Sequence, residues 1–95
     1  MFVITLRYLA PMEQIDAVLR EHQDWVDAQY DDGVFIASGP LVPRTGGVIL
    51  AAGLPRERLE ALLETDPFRR LELAEYSVVE FAPRRVAAGL ERLQG

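Results

Sequence analysis

One side chain in this sequence has the chemistry of a general acid or base at neutral pH. His22 is the single histidine, and it stands within EHQDWVDAQYDDG, residues 21–33. A neutral imidazole takes or gives a proton well when a second group, often a carboxylate, fixes its tautomer. Asp66 before Pro67, in TDPFRR (65–70), reads as the ordinary N-cap of a short helix.

Other chemistries are narrowed by composition. All ten positive residues are arginine, so Schiff-base chemistry and an amine nucleophile are out. Cysteine is absent, which removes disulfides, thiolates and cysteine-bound metals. One histidine with no clustered ligand spacing gives no expectation of a metal site, and no motif calls for an organic cofactor. Ser38, before Gly39 and Pro40, is a weak hydroxyl donor or plain turn chemistry; as a nucleophile it would need an adjacent base. Arg7 could clamp a substrate anion or pair with an acid across a subunit interface. Trp25 and Phe68 could stack on a flat ligand or simply fill the core. Asp24, Asp27, Asp31 and Asp32 read as a solvated acidic face rather than a cation site, although acids at a helix C-terminus oppose its dipole.

The elements that must position these groups follow from periodicity. FVITLRY (2–8) alternates as a strand, with Phe2, Ile4 and Leu6 on one side and Val3, Thr5 and Arg7 on the other. From Met12 to about Tyr30, apolar residues recur at helical spacing, and Gly33 suits a left-handed cap. VFIASGP (34–40) is a second strand and GVILAAG (47–53) a third, apolar on both faces. Pro55 opens a second helix, RERLEALLE, and TDPFRR is one more helical turn. LAEYSVVEF (73–81) is the fourth strand. The tail after Pro83, RRVAAGLERLQG, is expected as a short extension or helix.

The order βαββαβ predicts an α+β, ferredoxin-like sandwich in one domain: a four-stranded antiparallel sheet with two helices on one face. Two helices cover only one face, and GVILAAG offers little polarity to the other. A second copy of the chain is the expected cover, making a homodimer. With about 100° per residue and Ile15 at zero, His22 falls near −20°, between Val26 and Gln29, in the middle of the buried stripe. An unpartnered ring there would cost ~1–3 kcal/mol. His22 is thus either a core histidine satisfied by a carbonyl or hydroxyl, or the wall of a cavity. A net charge of −5 disfavours a nucleic-acid partner, and no apolar run reaches the ~20 residues of a membrane span. The start, MFVITLRYLAPMEQ, does not read as a signal peptide, so a cytoplasmic protein is expected.

His22 in mid-helix, AQYDDGVFIASGPL (28–41), TDPFRR (65–70) and a last strand ending VVEFAP (78–83), in this order and spacing, resemble the YciI-related family through Pro83. The resemblance implies a dimeric α/β-barrel form of the ferredoxin-like fold. It also implies a histidine–aspartate dyad in a pocket, with lyase-type or dehalogenating activity on small cyclic or phenolic compounds in some members. Carried onto this chain, His22 and Asp66 match the dyad, and Ser38, Gly39 and Pro40 match the glycine–proline turn near the pocket. The tail RRVAAGLERLQG departs from the family pattern, so the core is expected at about 1–83 with an extension over 84–95. Three functions fit: a lyase or isomerase without a cofactor, a small-ligand-binding module, or a non-catalytic accessory dimer.

Overall fold

In the computed structural model, which describes residues 1–94, β1 (Phe2–Tyr8) leads into α1 (Met12–Asp31), β2 (Phe35–Pro40) and β3 (Gly46–Ala51). Two helices, α2 (Arg56–Leu63) and the single-turn α3 (Pro67–Arg70), precede β4 (Ala74–Glu80). The strands form one antiparallel sheet in the order β2-β3-β1-β4. Crossing from β1 to β2 through α1, over β3, and from β3 to β4 through α2 and α3, over β1, gives the split-βαβ, ferredoxin-like arrangement. The fold is α+β, as its periodicities predict.

The core lies between the sheet and the helices. Phe2, Ile4 and Leu6 of β1 are buried together with Ile15 of α1, Leu59 and Leu63 of α2, and Phe68 of α3. The alternate residues of β1 face the other way, and their register partners share that side: Val3 pairs with Leu50 and Val79, Thr5 with Val48 and Ser77. Among the described residues, the α-helices pack on the opposite, inner face.

Two local features shape the end of the sheet near His22. The first is a bulge in β2 between Phe35 and Ala37. Strict alternation would place Phe35 and Ser38 on opposite faces. The extra residue restores Ser38 to the helix side, opposite Ile49, which is how bulges re-aim side chains. The second is Gly46, opposite Arg7, where an added Cβ would lie 1.7 Å from the Leu6 carbonyl oxygen. No rotamer relieves a clash with backbone, so β1 and β3 can pair here only through glycine.

Helix ends follow the expected chemistry. Gly33 takes φ +75° after α1 and its N–H donates to the Tyr30 carbonyl at 3.0 Å, closing the helix in the left-handed conformation. Beyond Pro83 the chain forms no α-helix among the described residues, only a 3-10 turn at Glu91–Gln94; Gly89 at φ +93° interrupts a stretch too short to nucleate one. No described helix is long and apolar enough to cross a membrane.

Gly46→Ala is expected to destabilise the protein by at least ~2 kcal/mol in urea unfolding, an overpacking cost that backbone cannot relax. A variant within ~0.5 kcal/mol of wild type would mean that β1 and β3 are not this close.

Candidate active site

His22 lies on the sheet-facing side of α1 with 14% of its side chain exposed. Its Nδ1 is 2.8 Å from Asp66 Oδ1 and 3.0 Å from Oδ2, a contact between residues 44 positions apart. A carboxylate so placed favours the imidazole tautomer with its hydrogen on Nδ1, which leaves the ring's lone pair on Nε2. The imidazole stacks on Phe68, with centroids 4.1 Å apart and planes 10° from parallel. Trp25 lies at a looser 6.0 Å on the same helix. Stacking sets the plane of the ring and the carboxylate sets its rotation, so the free edge bearing Nε2 points in one direction only.

Asp66 is fully buried, at 0% exposure. Its Oδ1 also accepts the Phe68 N–H at 3.1 Å, capping α3, whose first residue is Pro67. The cap and the imidazole therefore meet on the same oxygen, with Nδ1 spanning both; the oxygens are not divided between the two tasks. Buried carboxylates are retained where donors satisfy them, and a backbone N–H with an imidazole N–H does so here. A parallel tie holds the loop in place: Trp25 Nε1 donates to Thr65 Oγ1 at 2.8 Å, and Thr65 Oγ1 donates to the Leu62 carbonyl at 2.6 Å. Residues i and i+3 of α1 thus grip consecutive residues of the loop before α3. Trp25 serves as a hydrogen-bonded tie rather than as a ligand-stacking surface.

In front of the ring is an open cavity of about 420 Å³, walled by α1, β1 and the β2–β3 turn. Its lining includes His22 and Phe68 together with Ser38, Gly39 and Pro40. An engineered cavity of about 150 Å³ admits benzene, so this one has room for a substituted ring. Ser38 Oγ is 2.7 Å from Tyr30 Oη. That bond occupies the hydroxyl with a phenol, not with a base. Phe68 gives one face to His22 and is 1% exposed, which makes it a wall of the cavity behind the imidazole.

Arg7 lies elsewhere. It is on the outer sheet face, 68% exposed, in an ion pair with Glu75 on the adjacent β4, and it does not line the His22 cavity. The cation that does is Arg44, in the turn between β2 and β3. Arg44 Nη2 donates to Asp16 Oδ1 at 2.9 Å, and its Cζ is 5.8 Å from the Tyr8 ring centroid. The Asp16 bond, with Tyr8 beside it, raises the guanidinium pKa above an already high value, so the charge is permanent. Neither Arg44 nor Tyr8 is singled out by periodicity: VPRTGG reads as a turn, and Tyr8 continues the core stripe of β1. Asp24, Asp27, Asp31 and Asp32 are all exposed, and no group of three or more acidic or histidine side chains among the described residues could hold a metal ion.

Comparison with curated proteins finds no match. Among solved structures, the chain is similar to 5-chloro-2-hydroxyhydroquinone dehydrochlorinase (TftG) from Burkholderia phenoliruptrix AC1100, in its complex with 2,5-dihydroxybenzoquinone. The TM-score is 0.70 at 15% identity, and the alignment covers 85% of this chain and 93% of that one. At that identity the likeness speaks for the fold. The profile of the YCII-related domain matches residues 1–82, the whole sheet and every α-helix. This chain belongs to the YCII-related family.

Proposed function

We propose that this protein is a small-molecule enzyme in which His22 and Asp66 form an acid–base dyad acting on a small cyclic or enolic substrate. The observation that carries the reading is the setting of one ring: its Nδ1 lies against a buried carboxylate, and the same residue lines a cavity. Nε2 takes a proton from a substrate carbon or hydroxyl, and the imidazolium that forms is stabilised by Asp66. In an elimination, the released electron pair forms a double bond and the leaving group departs with its own pair. In an isomerisation, the proton returns to another carbon. Lyase, dehydrohalogenase-like and isomerase chemistry all fit this scheme, and none requires a cofactor. Ser38, Gly39, Pro40 and Phe68 serve as substrate-binding walls, and Arg7 belongs to the outer face. A structural neighbour that is itself a dehydrochlorinase, bound to a flat dihydroxyquinone, supports a ring of that size.

The reading extends to assembly. The outer face carries Val79 at 60% exposure, with Val3, Val48 and Leu50 half-buried around it, and Phe81 just past β4 is 45% exposed. An apolar patch on a sheet this small favours a homodimer, sheet against sheet. Residues 1–83 form the functional core in this reading, and 84–95 an extension of it.

Proton abstraction is measured without knowing the leaving group, by following deuterium exchange into small phenolic and enolic acids by NMR. Candidates are first selected by thermal stabilisation, since a bound ligand raises Tm by mass action. Asp66→Asn keeps an oxygen for the Phe68 N–H but removes the negative charge that stabilises the imidazolium, and puts an amide NH2 in place of the second oxygen facing Nδ1. Exchange is expected to fall ~10²–10⁴-fold while the protein stays folded. His22→Gln retains hydrogen-bonding groups but no base. It should abolish exchange, and a variant that binds ligand normally and exchanges as fast as wild type would refute the dyad. His22→Ala leaves the Asp66 carboxylate with a single donor and should cost ~1–3 kcal/mol of stability. For assembly, Val79→Glu is expected to convert a dimer into a monomer in sedimentation velocity; a wild-type chain that is monomeric at high micromolar concentration would remove the interface.

A further inference from the structure

The cavity holds one permanent cation that the acid–base pair does not use. Arg44 is tied to α1 through Asp16 and rests beside the Tyr8 ring of β1, so the guanidinium sits at a defined end of the cleft. Asp16 takes one of its five N–H donors. Both partners of that pair are well exposed, with side chains 37% and 52% accessible, and exposed pairs of this kind are weak. The contact therefore aims the guanidinium without neutralising it strongly, and a planar oxyanion can take two further donors side by side.

The other charged side chain of the lining is Asp27. It follows Asp16 on α1 by about three turns, roughly 16 Å along the axis, with His22 between them. Leu6, Leu19, Val26 and Ile49 make the walls apolar between these ends. The cleft is thus polarised along its length: fixed cation, imidazole, carboxylate. A neutral hydrocarbon would waste the cation, and a cationic ligand would meet it.

From this polarity we propose that Arg44 is the specificity-determining residue of the cavity. It binds the oxyanion of a planar conjugated acid, a carboxylate or an ionised enol or phenol, and so sets which atom of the ligand reaches His22. The proposal deepens the acid–base reading and rests on it for the role of His22, but anion binding itself does not require the dyad to be catalytic. The competing role is a structural one, in which Arg44 only tethers the turn between β2 and β3 to α1.

The test is isothermal titration of the whole chain at about pH 8, above the ordinary imidazole range, with 2-hydroxybenzoate and its neutral isostere 2-hydroxybenzamide. Wild type is expected to bind the carboxylate at least ~10-fold more tightly than the amide. Arg44→Gln should lose that preference while keeping amide affinity. Arg44→Lys, which keeps a charge but not the two-pronged geometry, should fall between them. Should Arg44→Gln not fold, the Arg44→Lys step decides alone: a reduced preference supports the proposal and an unchanged one overturns it. Equal affinity of wild type for the two probes, binding of neither, or a preference that survives in Arg44→Gln also overturns it. His22→Gln separates the two readings, because it should leave the carboxylate preference intact while abolishing exchange. Anion preference that depends on Arg44, without exchange that depends on His22, would leave an anion-binding pocket in place of an enzyme.

Discussion

The bond between His22 Nδ1 and the buried Asp66 carboxylate is the constraint on which the rest of the site depends. It crosses from the middle of α1 to the start of α3. Remove it, and a carboxylate with no access to water keeps one backbone donor while an imidazole loses its tautomer. Folding and the proposed chemistry are therefore bound to one pair. The charge that orients the ring also caps the helix carrying Phe68, and Phe68 returns the favour by stacking on that ring. Each of the three residues is held by the other two.

Around this triangle the fold supplies rigidity on one side and space on the other. The Trp25–Thr65 bond repeats the α1-to-loop tie one turn along, so the loop before α3 cannot swing without breaking two contacts. Across the cleft, the close pairing at Gly46 draws β3 against β1, and the turn that precedes it brings Arg44 over Tyr8. The cavity is the gap left where the tight β1–β3 end meets α1. Its polar groups enter from α1, β1, β2 and the β2–β3 turn, and convergence of that kind is the usual construction of a small-molecule site.

The sheet has two faces with different duties. The inner one carries the core and the cavity. The outer one carries the Arg7–Glu75 pair and a half-buried aliphatic set, on the side away from the described α-helices. A second copy placed against that face would leave the His22 cavity on the helix side of each subunit, since the cavity is bounded by α1 and the inner residues Leu6 and Ile49.

Periodicity alone determined the element order, the ferredoxin-like topology, and the phase that turns His22 toward the sheet. These are local properties, because helix and strand repeats are written within a few residues of one another. Asp66 before Pro67 was likewise legible as a cap. What distance along the chain hides is which elements meet. The approach of Asp66 to His22, 44 positions apart, exists only once α1 and α3 pack together. Ser38 faces the helices because of a bulge that breaks the alternation from which its side would otherwise be read. Arg44 sat in a turn with no periodic signal, while Arg7, on a clearly patterned strand, was the arginine that pattern made visible. Tertiary packing reversed their standing: it left Arg7 to an outer ion pair and carried Arg44 to the cavity, because a turn's side chains go where its flanking strands bring them.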